Sequence, residues 1–212
     1  MSRLAQVFMV SIFFIGFPAV SWYYLNQGYN YRVGVIEELD QQLGNIPDFK
    51  LTNQHGKKIA KDMLKKRVVI NNFLALEDAS ASEKYMQRIY NIQDQFDKKD
   101  DIIFNTYVQG ASVEAVEKYV NSLKIKQDQR WNFLTGSEEE MNKLMQQFPL
   151  PENASKTYAG NSMVAIADTA SIIRYFYDID IDADVSQLIV HIANLMPQAP
   201  PEEARMKKEL EK

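Results

Sequence analysis

The chain has 212 residues, a formal net charge of −4 and no cysteine. That charge gives no general attraction to nucleic acid, and no basic stripe offsets it. The missing thiol excludes disulfides, thiol catalysis, cysteine-ligated zinc and lipid attachment at cysteine.

Residues 4–25 carry no charged side chain, and their polar members are Gln6, Ser11 and Ser21. A helix of about 20 apolar residues spans the hydrocarbon core of a bilayer, so the stretch is long enough to cross. Trp22, Tyr23 and Tyr24 stand at its C-terminal end, where an aromatic belt would lie. The competing reading is a cleaved signal peptide with Ala19-Val20-Ser21 as the small-x-small site. Pro18 and the aromatics prolong the apolar run beyond a short signal core, which favours an uncleaved anchor. Arg3 and Arg32 flank the run on its two sides, so the positive-inside rule leaves orientation open.

We divide the chain into an anchor (1–28), a tether (29–45), a domain (46–196) and a charged tail (197–212). In the tether, Val33, Val35, Ile36, Leu39 and Leu43 predict a short helix or strand lying on the domain, broken at Gly44-Asn45-Ile46-Pro47. Tyr29 and Tyr31 extend the aromatic group begun by Trp22, Tyr23 and Tyr24. Either they anchor the chain at the membrane interface, or they contact a neighbouring membrane subunit.

Residues 48–51 and 57–59 predict a small edge hairpin around the turn Asn53-Gln54-His55-Gly56. The segment 67–75 reads as a buried central strand, because its apolar residues are clustered and β-branched. A polar loop from Glu77 to Glu83 follows, then a helix over 82–96 with Tyr85, Ile89, Ile92 and Phe96 on one face and Ser80 or Ser82 as its cap. Residues 102–108 predict a second buried strand, and Ser112 opens a helix to 123. A short strand at 131–134 leads into a helix over 138–148, where Ser137 and Glu140 have capping-box spacing. Strands at 162–168 and 171–177 flank a tight turn, and a last helix covers 185–195. Alternating strands and helices predict an α/β sheet covered by helices.

The loop after the central strand is where such folds commonly keep a site, and here it holds no cysteine and no histidine. Glu77 and Asp78 form an acidic pair that reads as a solvated loop, since a calcium site needs about six to eight oxygens. Ser80 and Ser82 would need a nearby base to act as nucleophiles; His55 and His191 lack motif spacing to either, and a helix cap is the simpler role. Met141 and Met145 share a helix face and can be read as core filler or as thioether ligands for copper(I). His191 lies in an amphipathic helix, where a surface or interface imidazole is the default.

Several stretches resemble one family. Pro47-Asp48-Phe49, Leu51-Thr52-Asn53-Gln54 and Gly56-Lys57 are similar to the opening PDFxLTDQxGK of the SCO/SenC family. Asn72-Phe73-Leu74 is similar to the strand before that family's metal loop. Trp131, Phe133, Leu134, Thr135 and Gly136, followed by Ser137-Glu138-Glu139-Glu140, resemble its WxFLTGxxEE segment, and residues 162–168 its late strand. The resemblance covers roughly 46–196 and implies a thioredoxin-like domain on a membrane anchor, in a family of copper chaperones linked to cytochrome oxidase assembly.

The family's functional residues do not carry over. Its CxxxC pair would fall on Asp78 and Ser82, its acidic residue on Gln109, and its ligand histidine near Gly160 or Asn161. One carboxylate and one hydroxyl do not replace the thiolate and imidazole ligands that copper(I) prefers. Thiol–disulfide exchange is excluded outright. The turn Asp168-Thr169-Ala170-Ser171 also lacks the family's usual glycine.

The expectation is therefore an α/β fold: a thioredoxin-like domain, its central sheet flanked by helices, with one N-terminal transmembrane helix. Its function would be that of a non-catalytic, membrane-anchored accessory or assembly subunit of a membrane complex such as a respiratory one. It would have no cofactor, nucleic acid or small-molecule substrate, its partners would be membrane subunits, and its domain would lie on the periplasmic or equivalent side. The alternative is a copper-handling assembly factor that uses relocated ligands, which requires Met141, Met145, Met163 and His191 to converge in space.

Overall fold

The computed structural model describes residues 12–76, 79–123, 128–151 and 162–197, with backbone alone at 79–81. The chain divides into two compact units, Met1–Gln41 and Gln42–Lys212.

In the first unit a π-helical turn, Ile12–Gly16, continues into helix α1, Phe17–Leu39. Pro18 sits in the first turn, where its missing N–H costs no helical bond. The helix runs through Tyr29, so the start of the predicted tether continues the helix begun in the anchor. Trp22, Tyr23, Tyr24, Tyr29 and Tyr31 are all exposed on it, and the Gln27 amide donates to the Tyr23 hydroxyl at 3.2 Å. Among the described residues no helix is long and apolar enough to cross a membrane. The predicted span at 4–25 is thus not supported by the described helix, whose hydropathy is lowered by Asn26, Gln27, Asn30, Arg32, Glu37 and Glu38; residues 4–11 lie outside the described residues.

The second unit is built on one eight-stranded sheet. Its strands are β1 (Gly44–Asn45), β2 (Lys50–Asn53), β3 (Lys58–Ala60), β4 (Val68–Ala75), β5 (Ile102–Gln109), β6 (Trp131–Thr135), β7 (Met163–Ala167) and β8 (Ile172–Asp178). Their spatial order is β1-β8-β7-β4-β5-β6-β2-β3. β4 pairs in parallel with β5 along its whole length, from Val68↔Ile102 to Ala75↔Gln109, and β6 joins β5 in parallel. The predicted central strands are thus neighbours at the middle of the sheet, and the predicted hairpin β2–β3 lies at one edge.

Both faces of β4 and β5 are covered, which explains their near-continuous apolar runs. Side chains alternate across the pleat. Val68 and Ile70 join Ile102, Phe104 and Val108 beneath helices α2 (Ala79–Gln95), α3 (Val113–Ser122) and α5 (Asp182–Leu195). Val69 and Phe73 join Ile103 and Tyr107 beneath helix α4 (Glu138–Gln147), whose Met141 and Leu144 point inward with Phe148 just beyond.

The helix starts follow their capping chemistry. Ser112 accepts from the Ala115 N–H and opens α3. Ser137 accepts from the Glu140 N–H while the Glu140 carboxylate accepts from the Ser137 N–H, so α4 carries a complete capping box. The bond from the Ser137 N–H, and then the Ser137 hydroxyl, hold the Glu140 carboxyl below its ordinary range. A carboxylate depressed in the folded state gives stability that is full above its unfolded pKa and lost as pH falls through the folded one. The expected result is that Glu140→Gln narrows the gap to the native chain on acidification below the ordinary glutamate range, read from thermal midpoints against pH. A constant gap would show that the charge adds nothing to the cap.

Two helices begin earlier than their periodicity predicts. α2 starts at Ala79 rather than at 82, so Ser82 lies inside it and does not cap it. α5 starts at Asp182, three residues before the predicted 185, with Asp182 and Asp184 in its first turn; acidic groups there suit the positive end of the helix dipole. β1 occupies part of the predicted break and pairs Gly44↔Ile173 and Asn45↔Ile172. At the turn between β7 and β8, Ser171 itself takes the left-handed conformation, φ 64°, in which glycine is favoured. Asp168 stabilises that turn by accepting from the Ala170 and Ile172 N–H groups and pairing with Arg174.

A row of amides crosses the sheet on the α4 side. The Asn53 side chain donates to Asn132 at 3.3 Å, and Asn132 donates to Asn105 at 3.2 Å. Asn53 is fixed from behind, since its oxygen accepts from the His55 and Lys57 N–H groups of the hairpin turn. Gln54 extends the edge of β2 by one step: its amide donates to the Trp131 carbonyl and accepts from the Phe133 N–H, both at 2.9 Å. In β4, Asn71 accepts from the Tyr107 hydroxyl at 3.0 Å.

At the other end of the sheet, β1 pairs with β8 only at Ile172 and Ile173. A register irregularity interrupts β7–β8 at Ile166/Ala167, and the Asp184 carboxylate accepts from the Asp178 N–H at 2.9 Å.

Candidate functional site

The C-terminal ends of β4, β5 and β6 lie side by side and carry the positions singled out by the sequence. β4 ends at Ala75, directly opposite Gln109 of β5. From α2, Ser82 turns back and donates from its hydroxyl to the Ala75 carbonyl at 3.0 Å. Ser82 is buried, and its role is to tie the first turns of α2 to the strand end. Gln109 donates from its amide to Asn142 of α4 at 2.9 Å. Gly110 follows with φ 69°, a left-handed turn that favours a residue without Cβ. Thr135, at the end of β6, donates to the Ala111 carbonyl at 2.6 Å. Each strand end is thereby linked to a neighbouring segment.

Asp78, Gly160 and Asn161 lie outside the described residues, as does Glu77, and Ser80 is described by backbone alone. Of the positions at which the sequence resemblance would put a copper site, Ser82 and Gln109 can therefore be placed. A hydroxyl and an amide are neutral, weak donors toward copper(I). Among the described residues, no three His, Asp or Glu side chains stand close enough to hold a metal ion.

Beneath this rim, on the α2 side, lies a second polar group. Trp131 donates from its indole N–H to the Thr106 hydroxyl at 2.9 Å, and Thr106 donates to the Asn72 side-chain oxygen at 3.0 Å. The Tyr85 hydroxyl comes against Asn72 without a well-formed hydrogen bond, and burial pushes it far above the ordinary tyrosine range. Burial, then the Glu83 charge, pushes Tyr119 up to about 12. Both phenols stay neutral near pH 7 and supply no base.

The four proposed relocated ligands are not brought together. Met141 is fully buried in the core under α4, with Met145 packed against it. His191 lies on the other side of the sheet, in α5, fully buried rather than at the surface. Its Nδ1 is 2.6 Å from the Tyr177 hydroxyl, and the Tyr175 ring meets it edge-on. α5 buries this position because it falls one turn from Leu188 and beside Ile192, on the inward face. Met163 is half-buried at the start of β7, opposite Asp178. The sequence pattern missed the Tyr177–His191 pair; its signal is the inward phase of His191, three residues after Leu188.

No family model matches the sequence, and no curated protein matches it. Solved structures do match. BsSco, a member of the Sco family of cytochrome c oxidase assembly proteins, superposes with a TM-score of 0.60 at 15% identity, covering 71% of this chain and 92% of that one. An SCO1/SenC family lipoprotein from Bacillus anthracis gives 0.59 at 20% identity, over 71% and 94%. Copper-bound ScoI of Bradyrhizobium japonicum gives 0.54 at 13% identity, over 72% and 100%. The domain has the thioredoxin-like fold of these proteins.

Proposed function

We propose that the chain is a cysteine-free relative of the SCO/SenC proteins and serves as a non-catalytic, membrane-anchored accessory or assembly subunit of a membrane complex. The solved structures that share its fold include cytochrome c oxidase assembly proteins, which makes a respiratory complex the first candidate. The observation that carries the reading is at the rim. The position matching the family's second cysteine is Ser82, engaged with the Ala75 carbonyl, and the position matching its acidic residue is Gln109, engaged with Asn142. Ligand and redox chemistry is replaced there by hydrogen bonds that hold loops in place. A folded domain without thiol chemistry retains binding as its activity.

The anchor would be the charge-free run 4–25, with the domain on the periplasmic or equivalent side. The exposed aromatics Trp22, Tyr23, Tyr24, Tyr29 and Tyr31 would form part of the dock, since aromatic rings bury large area with few rotatable bonds. The copper-handling alternative loses its ligand set, because Met141 and His191 lie on opposite faces of the sheet.

The test is affinity purification in mild detergent with the native N-terminus and with residues 1–31 replaced by an unrelated single span. The expected result is a membrane-protein partner recovered with the native chain and depleted with the swapped one. Equal recovery would confine docking to the domain. The absence of any partner, or nanomolar copper(I) binding by the purified chain, would overturn the proposal.

A further inference from the structure

The aromatic residues of α1 do not share one face. Helix positions at alternating intervals of three and four residues fall in one stripe. Trp22, Leu25, Tyr29, Arg32 and Ile36 have that spacing. The four uncharged members are 70%, 73%, 66% and 61% exposed, and Arg32 is exposed among them. Tyr23 lies on another face, where the Gln27 amide bonds its hydroxyl. Tyr24 and Tyr31 lie on a third, in line with the buried Val35.

We infer that this stripe is the contact surface of the dock, and that its occupant is an α-helix of a partner membrane subunit, lying alongside α1 with an acidic residue against Arg32. The inference rests on the membrane-anchored reading proposed above. It narrows the five aromatics of that reading to Trp22 and Tyr29, and names the partner's element and charge.

The spacing is that of a helix–helix seam, in which the apolar positions of one helix insert between side chains of the other. The length of the stripe counts against lipid as its cover. Trp22 to Ile36 spans about 21 Å along the axis, whereas one headgroup layer is about 5–8 Å thick. A helix that leaves the bilayer upright from a belt at Trp22 carries Ile36 past the headgroups into water, where an exposed isoleucine gains from a protein partner.

The charge counts against a second copy. Two copies anchored in one membrane run in parallel, which sets Arg32 against Arg32, and like charges facing each other across a seam oppose pairing. On α1 itself the residues one turn from Arg32 are Gly28, Tyr29, Val35 and Ile36, and none is acidic. A carboxylate on the facing helix supplies the opposite charge, and a guanidinium binds it through two parallel hydrogen bonds.

The chain has no cysteine, so a single introduced one reports on its own position. The probe is a membrane-impermeant maleimide, applied on the side of the domain to the full chain. It is used in membranes of the native host, and in vesicles of phosphatidylcholine and phosphatidylglycerol that hold the purified chain alone. Tyr29→Cys is compared with Asn30→Cys, and Ile36→Cys with Glu37→Cys, because the members of each pair are adjacent along the axis but on different faces. All four positions are exposed, and each variant leaves the other stripe residues in place. In native membranes the expected result is loss of most labelling at Tyr29→Cys and Ile36→Cys, with Asn30→Cys and Glu37→Cys labelled freely. In the vesicles both members of each pair label alike. Arg32→Glu restores labelling at Ile36→Cys in native membranes, and Arg32→Lys, which keeps the charge, does not. Face-dependent protection that persists in the vesicles assigns the stripe to lipid or to a second copy and overturns the inference. Protection that survives Arg32→Glu removes the acidic partner and also overturns it. Equal labelling within each pair in native membranes overturns it as well: if the detergent purification still recovers a membrane partner, the accessory-subunit reading stands without the stripe, and if it recovers none, both fall.

Discussion

Asn132→Leu is expected to lower unfolding stability by about 2–5 kcal/mol, measured by urea denaturation with circular dichroism, because two buried amides lose their partners at once. Asn132 stands in the middle of the row, accepting from Asn53 and donating to Asn105. A leucine satisfies neither neighbour. Asn53 cannot turn away cheaply, since its oxygen is held by the hairpin N–H groups of His55 and Lys57. The cost arises less from the two bonds than from the polar groups left dry. Replacing Asn105 together with Asn132 by apolar residues should therefore recover part of the loss, since one of the stranded groups goes with it. A single-variant change within experimental error would show that the row is solvated or irrelevant. A double variant worse than the sum would show that the amides act through packing instead.

Phe73→Ala is expected to cost about 3–5 kcal/mol through the cavity it opens. Phe73 is 1% exposed, stacks on Tyr107 with centroids 5.3 Å apart, and meets Phe148 edge-on at 5.0 Å. It joins the middle of the sheet to the end of α4. The Tyr107 ring, held at its hydroxyl by Asn71, is poorly placed to fill the void. Phe73→Leu should restore most of the stability, since it refills volume. If alanine costs no more than leucine, the site collapses on its own and the packing account fails.

These two residues also show what the sequence made legible. β4 and β5 were readable because full burial on both faces makes their apolar residues continuous, a pattern that survives the interruption by Asn71 and Asn72. α4 was readable because its capping box is encoded within four residues, Ser137 to Glu140. The amide row was not, because it joins positions up to 79 residues apart and each asparagine alone reads as a turn former. Helix starts were misplaced where the sequence of the first turn offers no large apolar residue to set the period: Ala79-Ser80-Ala81 in α2 and Asp182-Ala183-Asp184 in α5. α1 continued past Tyr29 because helical hydrogen bonds are local and do not require an apolar face. The lack of thiol was plain from composition. The contacts of the substitutes, Ser82 with Ala75 and Gln109 with Asn142, needed the fold to bring them together.

An open sheet always has two rims, and each is a place where a stray strand could be copied. In this protein the rim at β3 is three residues long and begins with the exposed Lys58. At the opposite rim β1 covers two residues of β8; beyond them the Asp184 carboxylate occupies the Asp178 N–H, next to a strand pair whose register is broken. Neither described rim presents a long, flat ladder of donors and acceptors. The described rims are thus poor templates for cross-β growth: in a chain without disulfides, a three-residue β3 that begins with a lysine, the two-residue β1 and the Asp184 carboxylate on the Asp178 N–H all limit strand addition.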